Sequence, residues 1–111
     1  MSFFQSDVVR AEMAEIHELQ EEIYSNVFKF PTMKREDKKY HVEILERLLE
    51  KQRILYTRLS LSDDPSAKEM KDRITESASM MGLPVGQDMS SLFNNMSQAV
   101  DMMKKQIDKD L

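Results

Sequence analysis

A chain of 111 residues with 41% hydrophobic and 32% charged side chains has room for one modest core. It is too apolar to stay disordered and too charged to be buried on all sides. Two glycines, three prolines and no cysteine exclude a many-stranded β fold, a disulfide framework, a thiolate zinc site and a cysteine nucleophile, while a net charge of −4 argues against a nucleic-acid footprint.

The opening "MSFFQSDVVRAEM" is broken by Asp7 and Arg10 and does not read as a signal peptide. Ser6 is the expected N-cap of a first helix over 7–28. In it Val9, Met13, Ile16, Ile23 and Val27, with Leu19 alongside, recur at helical spacing. Pro31 should end this helix, because the residue before a proline is pushed out of helical geometry. Thr32 is then the expected N-cap of a second helix over 33–60, roughly 40 Å long at 1.5 Å per residue. Leu45, Leu48, Leu55 and Leu59, with Gln52 in the same row, form its stripe, and Ile44, Leu49 and Tyr56 widen it. Such a width suits a helix packed on more than one neighbour. The short connection predicts an antiparallel αα-hairpin. Asp64 and Pro65 are placed as N-cap and first residue of a third helix over 65–81, with Ala67, Met70, Ile74, Ala78 and Met81 as its apolar positions. "MMGLP" reads as a helix stop, with Gly82 in the left-handed position, Leu83 folding back and Pro84 blocking continuation. Gly86 loosens the joint and Asp88 caps a fourth helix over 89–108. Its stripe is Met89, Leu92, Met96, Val100, Met103 and Ile107, with Phe93 beside it. The expected fold is all-α: a long hairpin plus two shorter helices in one domain over 1–111.

Charge is unevenly spread. Residues 1–31 hold six acidic and two basic side chains, and residues 32–61 hold eight basic and five acidic. Helices one and two should therefore attract each other when folded back. Within helix two, i,i+4 pairing such as Glu43–Arg47 is expected on a solvated face. The same interleaving, with Glu36, Asp37, Glu46 and Glu50 among the cations, leaves no concentrated basic footprint, so direct nucleic-acid binding is not expected.

Chemistry-bearing motifs are absent. A carboxylate-bridged di-iron bundle needs Glu three residues before each histidine; here Ala14 precedes His17 and Lys38 precedes His41. Both histidines are expected at surface or boundary positions. There is no phosphate-cradling glycine loop, nucleophile elbow or zinc-type His-Glu-x-x-His. No metal, cofactor or enzymatic activity is therefore expected. The methionines Met80, Met81, Met89, Met96, Met102 and Met103 could mould to a partner, but stripes at helical spacing are more often core. The terminal "QIDKDL" resembles short glutamine-plus-aliphatic tails that dock into sliding clamps, without their terminal aromatic. A frayed helix end is the simpler reading.

The order of residues also resembles a known family. "FFQSDVVRAEM", "MKREDKKYHVEILERLLEKQRILYTRLSLSDD" and "MGLPVGQDMSSLFNNMSQAVDMMKKQ" are similar, over nearly the whole chain, to a small-protein family of cyanobacteria and their T4-like phages, domain of unknown function 1825. The pattern consists of a phenylalanine pair before Ser6, a charged helix with Arg53 and Arg58, the Leu-Ser-Asp-Asp junction, and Met96 with Lys104. "SASMMGLP" looks more like the phage branch. The resemblance implies a cytoplasmic all-helical protein and carries no activity, cofactor or catalytic residue.

The expectation is a non-enzymatic helical adapter that binds another protein through a helix face, with Leu45, Leu48, Leu55, Tyr56, Leu59, Met96 and Met103 as candidate contacts. Alternatives are a virion or assembly component, or a transcription or replication accessory acting by protein contact. A homodimer is expected, because a single hairpin cannot cover both sides of the helix-two stripe. No membrane association is expected.

Overall fold

The computed structural model describes residues 3–80 and 89–109. Within them the chain forms four α-helices: α1 (Asp7–Asn26), α2 (Arg35–Leu61), α3 (Pro65–Met80) and α4 (Met89–Lys109). Short 3-10 segments at Phe3–Gln5 and Val27–Thr32 precede and follow α1. The molecule measures 50 × 32 × 19 Å, thin enough that α1, α2 and α4 lie nearly in one layer.

Helix α2 is the centre of that layer. One of its sides turns Ile44 and Leu48 to Ile16, Leu19 and Ile23 of α1. The other turns Val42 and Leu49 to Met89, Phe93, Val100 and Ile107 of α4. Half-buried Leu45 packs against both clusters. The wide stripe of α2 is thus divided between two neighbours within the same chain. The premise that it needs a second copy to be covered does not hold.

Charges set the direction of both seams. Arg58 pairs with Glu12 at 3.0 Å, and Lys51 pairs with Glu15. Residues rising along α1 therefore meet residues falling along α2, as an antiparallel hairpin requires. Across the other seam Lys104 pairs with Glu46, and Asp108 faces Lys39 at 3.2 Å and Arg35 at 3.6 Å. Among the described residues no ion pair joins Glu43 to Arg47, contrary to the expected i,i+4 pairing. Glu46 reaches α4, Lys51 reaches α1, and Glu50 pairs with Arg53 at 2.6 Å. One carboxylate does not fit fully: Glu12 Oε2 is buried without a hydrogen-bond partner among the described residues, although Oε1 meets Arg58.

The end of the layer where α2 meets α3 holds buried apolar side chains. Leu59, Ala67 and Val9 are all buried there. Asp64 caps α3 as expected: its Oδ1 accepts the Ser66 N–H at 2.9 Å, with Pro65 in the first helical position where its missing N–H is not needed. The other carboxylate oxygen accepts the Phe3 N–H at 2.5 Å, tying the N-terminal segment to the head of α3. Both bonds favour the charged form, the Phe3 bond most, and hold the Asp64 carboxyl below its ordinary value.

Three local expectations need correction. Ser6 has the extended conformation of an N-cap but makes no side-chain capping bond. Thr32 does not cap α2; its hydroxyl donates to the Lys29 carbonyl at 2.9 Å within the 3-10 segment, and Lys34 takes the cap position instead. His17 is exposed and sits 3.1 Å from Glu21, but His41 is buried at 7% exposure. His41 precedes Leu45 by one helical turn, so it belongs to the inward side of α2. The expected helix stop at Gly82, Leu83 and Pro84, the loosening at Gly86, the Asp88 cap and the position of Met81 lie outside the described residues.

Candidate interaction site at the hairpin tip

The connection between α1 and α2 is a 3-10 turn, not an open loop. With three residues per turn, Asn26, Lys29 and Thr32 fall along one edge, while Phe28 and Pro31 fall along another. The first edge lines a cleft of about 550 Å³. Lys34, Asp37, Tyr40 and His41 of early α2 close it from across, with Ile44 and Met33 contributing apolar wall and Glu22 of α1 at its side. The second edge faces water, and Phe28 is 93% exposed. Tyr24, Val27 and Tyr40 are exposed around the same tip.

Phe30 takes the opposite course. It turns inward, its ring centroid 5.2 Å from that of His41, with Lys38 Nζ over it at 5.7 Å. This contact explains why His41 is covered. Among the described residues the imidazole makes no hydrogen bond, and it lines the cleft.

Residues 29–39 carry five cations and two carboxylates, a net +3 within a chain of −4, so the remainder carries −7. Arg35 and Lys39 are turned toward Asp108, and Lys38 toward Phe30. Lys29 and Lys34 are left at the cleft. Of the two acids that line it, Glu22 is engaged by Tyr40: the phenol donates to that carboxylate, and this bond raises the phenol above its ordinary value. Asp37 belongs to the first turn of α2, where a carboxylate complements the helix dipole.

The seven residues expected to contact a partner do not form one exposed surface. Leu48 and Leu59 are buried, and Leu45, Leu55, Tyr56 and Met103 are half-buried within the chain. Tyr56 packs on Phe93, with ring centroids 5.9 Å apart. Of the set, Met96 is exposed at 39%. Of the methionines, Met89 is core, while Met80 and Met102 are exposed. Sequence reasoning missed Tyr24, Phe28, Tyr40 and His41. A usable signal was present: "VFKFPT" puts two phenylalanines and a proline at the very end of the helical stripe, where Phe28 falls outside its spacing.

A second depression, about 630 Å³, lies at the opposite end between Phe3, Val9, Arg58, Leu61 and Asp64. Its polar groups Arg58 and Asp64 are already joined to Glu12 and to backbone N–H groups. Among the described residues no helix is long and apolar enough to cross a membrane.

A family model described as domain of unknown function (DUF1825) matches residues 1–107. No curated protein and no solved structure matches the chain.

Proposed function

The chain belongs to the DUF1825 family, and from that premise we propose that it is a non-enzymatic protein-interaction module that meets its partner with the tip of the α1–α2 hairpin. The observation that carries this reading is Phe28, 93% exposed at the hairpin tip, where Tyr24, Val27 and Tyr40 are exposed as well. Aromatic side chains lose little entropy on contact and dominate interface energetics. Several of them exposed at one end of a folded chain are what a docking surface offers. The missing nucleophile, metal and phosphate motifs support a binding role without chemistry or cofactor, and the family resemblance supports a place in the cytoplasm.

A photo-crosslinking amino acid at Phe28, with a control at exposed Leu61 on the other end, tests the reading in cells. A discrete adduct from position 28 and none from 61 is expected; adducts from both or neither would contradict it. Mass spectrometry of the adduct separates an adapter from the two alternatives. Capsid or tail proteins would indicate a virion or assembly component, and polymerase an accessory factor.

Self-association is a second proposal. It is supported by Met13 and Met96, exposed at 36% and 39% on the two helices that flank α2. Sedimentation at micromolar concentration should give twice the 13.0 kDa chain mass; one chain mass at all concentrations would end the proposal.

A further inference from the structure

We infer that the hairpin-tip cleft binds an acidic segment of a partner protein, with one carboxylate entering beside His41 between Lys29 and Lys34 and a neighbouring apolar side chain resting on Phe28. This inference builds on the interaction reading above and gives the partner its chemistry.

Four features of the tip converge on that ligand. His41 lines the cleft with most of its surface covered; its ring nitrogens are not among the buried atoms left without a partner, so water reaches them there and an incoming group would take that water's place. Helix α2 begins at the same place, and Lys34 provides no side-chain cap. The first-turn N–H groups and the positive end of the helix dipole are therefore left to a ligand or to water. Lys29 and Lys34 add two exposed cations on a segment of net +3 within the acidic chain. Phe28, exposed on the neighbouring edge, supplies an apolar platform.

The two acids in the lining select among anions. Glu22 is held by Tyr40, and Asp37 sits in the first turn of α2. A single carboxylate can pass between the cations and avoid both. A phosphate backbone, carrying charge at every step, would meet Glu22 and Asp37 as well as the lysines. The apolar platform points the same way: a protein segment offers a side chain to Phe28 next to its carboxylate.

The probe is an acetylated, amidated pentapeptide with one carboxylate, Asn-Leu-Glu-Phe-Asn, compared with its neutral counterpart, Asn-Leu-Gln-Phe-Asn. Each is titrated into the full 15N-labelled chain and followed by NMR. Saturable shifts at Asn26, Lys29, Lys34 and the His41 ring are expected, with the neutral peptide weaker by about tenfold or more, the scale of charge-assisted hydrogen bonds. His41→Phe keeps an aromatic ring against Phe30 and should weaken binding by a similar factor. If that variant does not fold, the double variant Lys29→Gln, Lys34→Gln, at exposed positions, carries the test with the same expected loss. Equal binding of both peptides, shifts away from the tip, or unchanged binding by the lysine variant would overturn the inference. So would inorganic phosphate or a thymidine oligonucleotide saturating the same signals as tightly as the acidic peptide. If the peptide fails while a crosslinked adduct at Phe28 persists, the ligand chemistry is wrong and the interaction reading stands. If both fail, so does the reading.

Discussion

The two ends of the α1–α2 hairpin use similar residues in opposite ways. At the α3 end Phe3 and Phe4 stack edge to face with centroids 5.1 Å apart, the Phe3 N–H is held by Asp64, and Leu59 is 1% exposed. At the tip Phe28 stands in water, the helix start lacks a side-chain cap, and a histidine covered by Phe30 lines an open cleft. Leu59, Ala67 and Val9 at the first end are buried by folding although Leu61 stays exposed, and the carboxylate there satisfies two backbone donors. At the second end Phe30 is drawn inward, while Phe28 contributes little to folding and, in the proposed reading, is left for another molecule. Exposure beside an open, uncapped helix start, more than the presence of aromatics, distinguishes the tip from the closed end.

Substitutions sharpen or break this contrast. The largest effect is expected at the α1 seam. Leu48→Glu would place a charge among Ile16, Leu19 and Ile23, costing several kcal/mol, a large part of a small domain's stability. It should unfold the chain, as circular dichroism would show; a folded variant would mean that the seam opens to water. Next, Leu59→Ala at the closed end should cost about 2–5 kcal/mol by urea titration, the range for deleting a buried leucine. A loss below about 1 kcal/mol would show that this end is loosely packed.

Asp64 gives a smaller, pH-dependent effect. Its folded-state carboxyl lies below the ordinary value of 3.8. The stabilisation is therefore present above the unfolded value and lost as pH falls toward the folded one. Asp64→Asn should lower the thermal midpoint at neutral pH and flatten its decline between about pH 5 and pH 2. An unchanged acid profile would remove Asp64 from its place as the clamp on Phe3.

Much of the architecture was legible in the residues. The four helix spans follow from apolar periodicity, and the start of α3 follows from Asp64–Pro65. Opposed charge on helices one and two anticipated the Glu12–Arg58 and Glu15–Lys51 pairs. The rest has physical reasons for being hidden. Thr32 looked like a cap because Ser and Thr commonly cap helices; the 3-10 turn drew its hydroxyl back to Lys29. The Phe3–Asp64 bond joins residues 61 apart, so no local pattern announces it, although the resemblance had singled out both the phenylalanine pair and the Leu-Ser-Asp-Asp junction. His41 read as a boundary residue because its cover, Phe30, lies before the helix begins. The candidate contacts on α2 were chosen as surplus apolar area. The chain itself covers most of that area, because α4 returns along the side that α1 leaves open.

The smallest expected effect on stability is also the most direct test of the central claim that the tip is kept for binding. Urea titration of Phe28→Ser beside the parent chain should show a difference within about 0.5 kcal/mol, as for exposed positions outside the core. A loss of about 2 kcal/mol or more, comparable to deleting a buried side chain, would contradict the account and return Phe28 to the core.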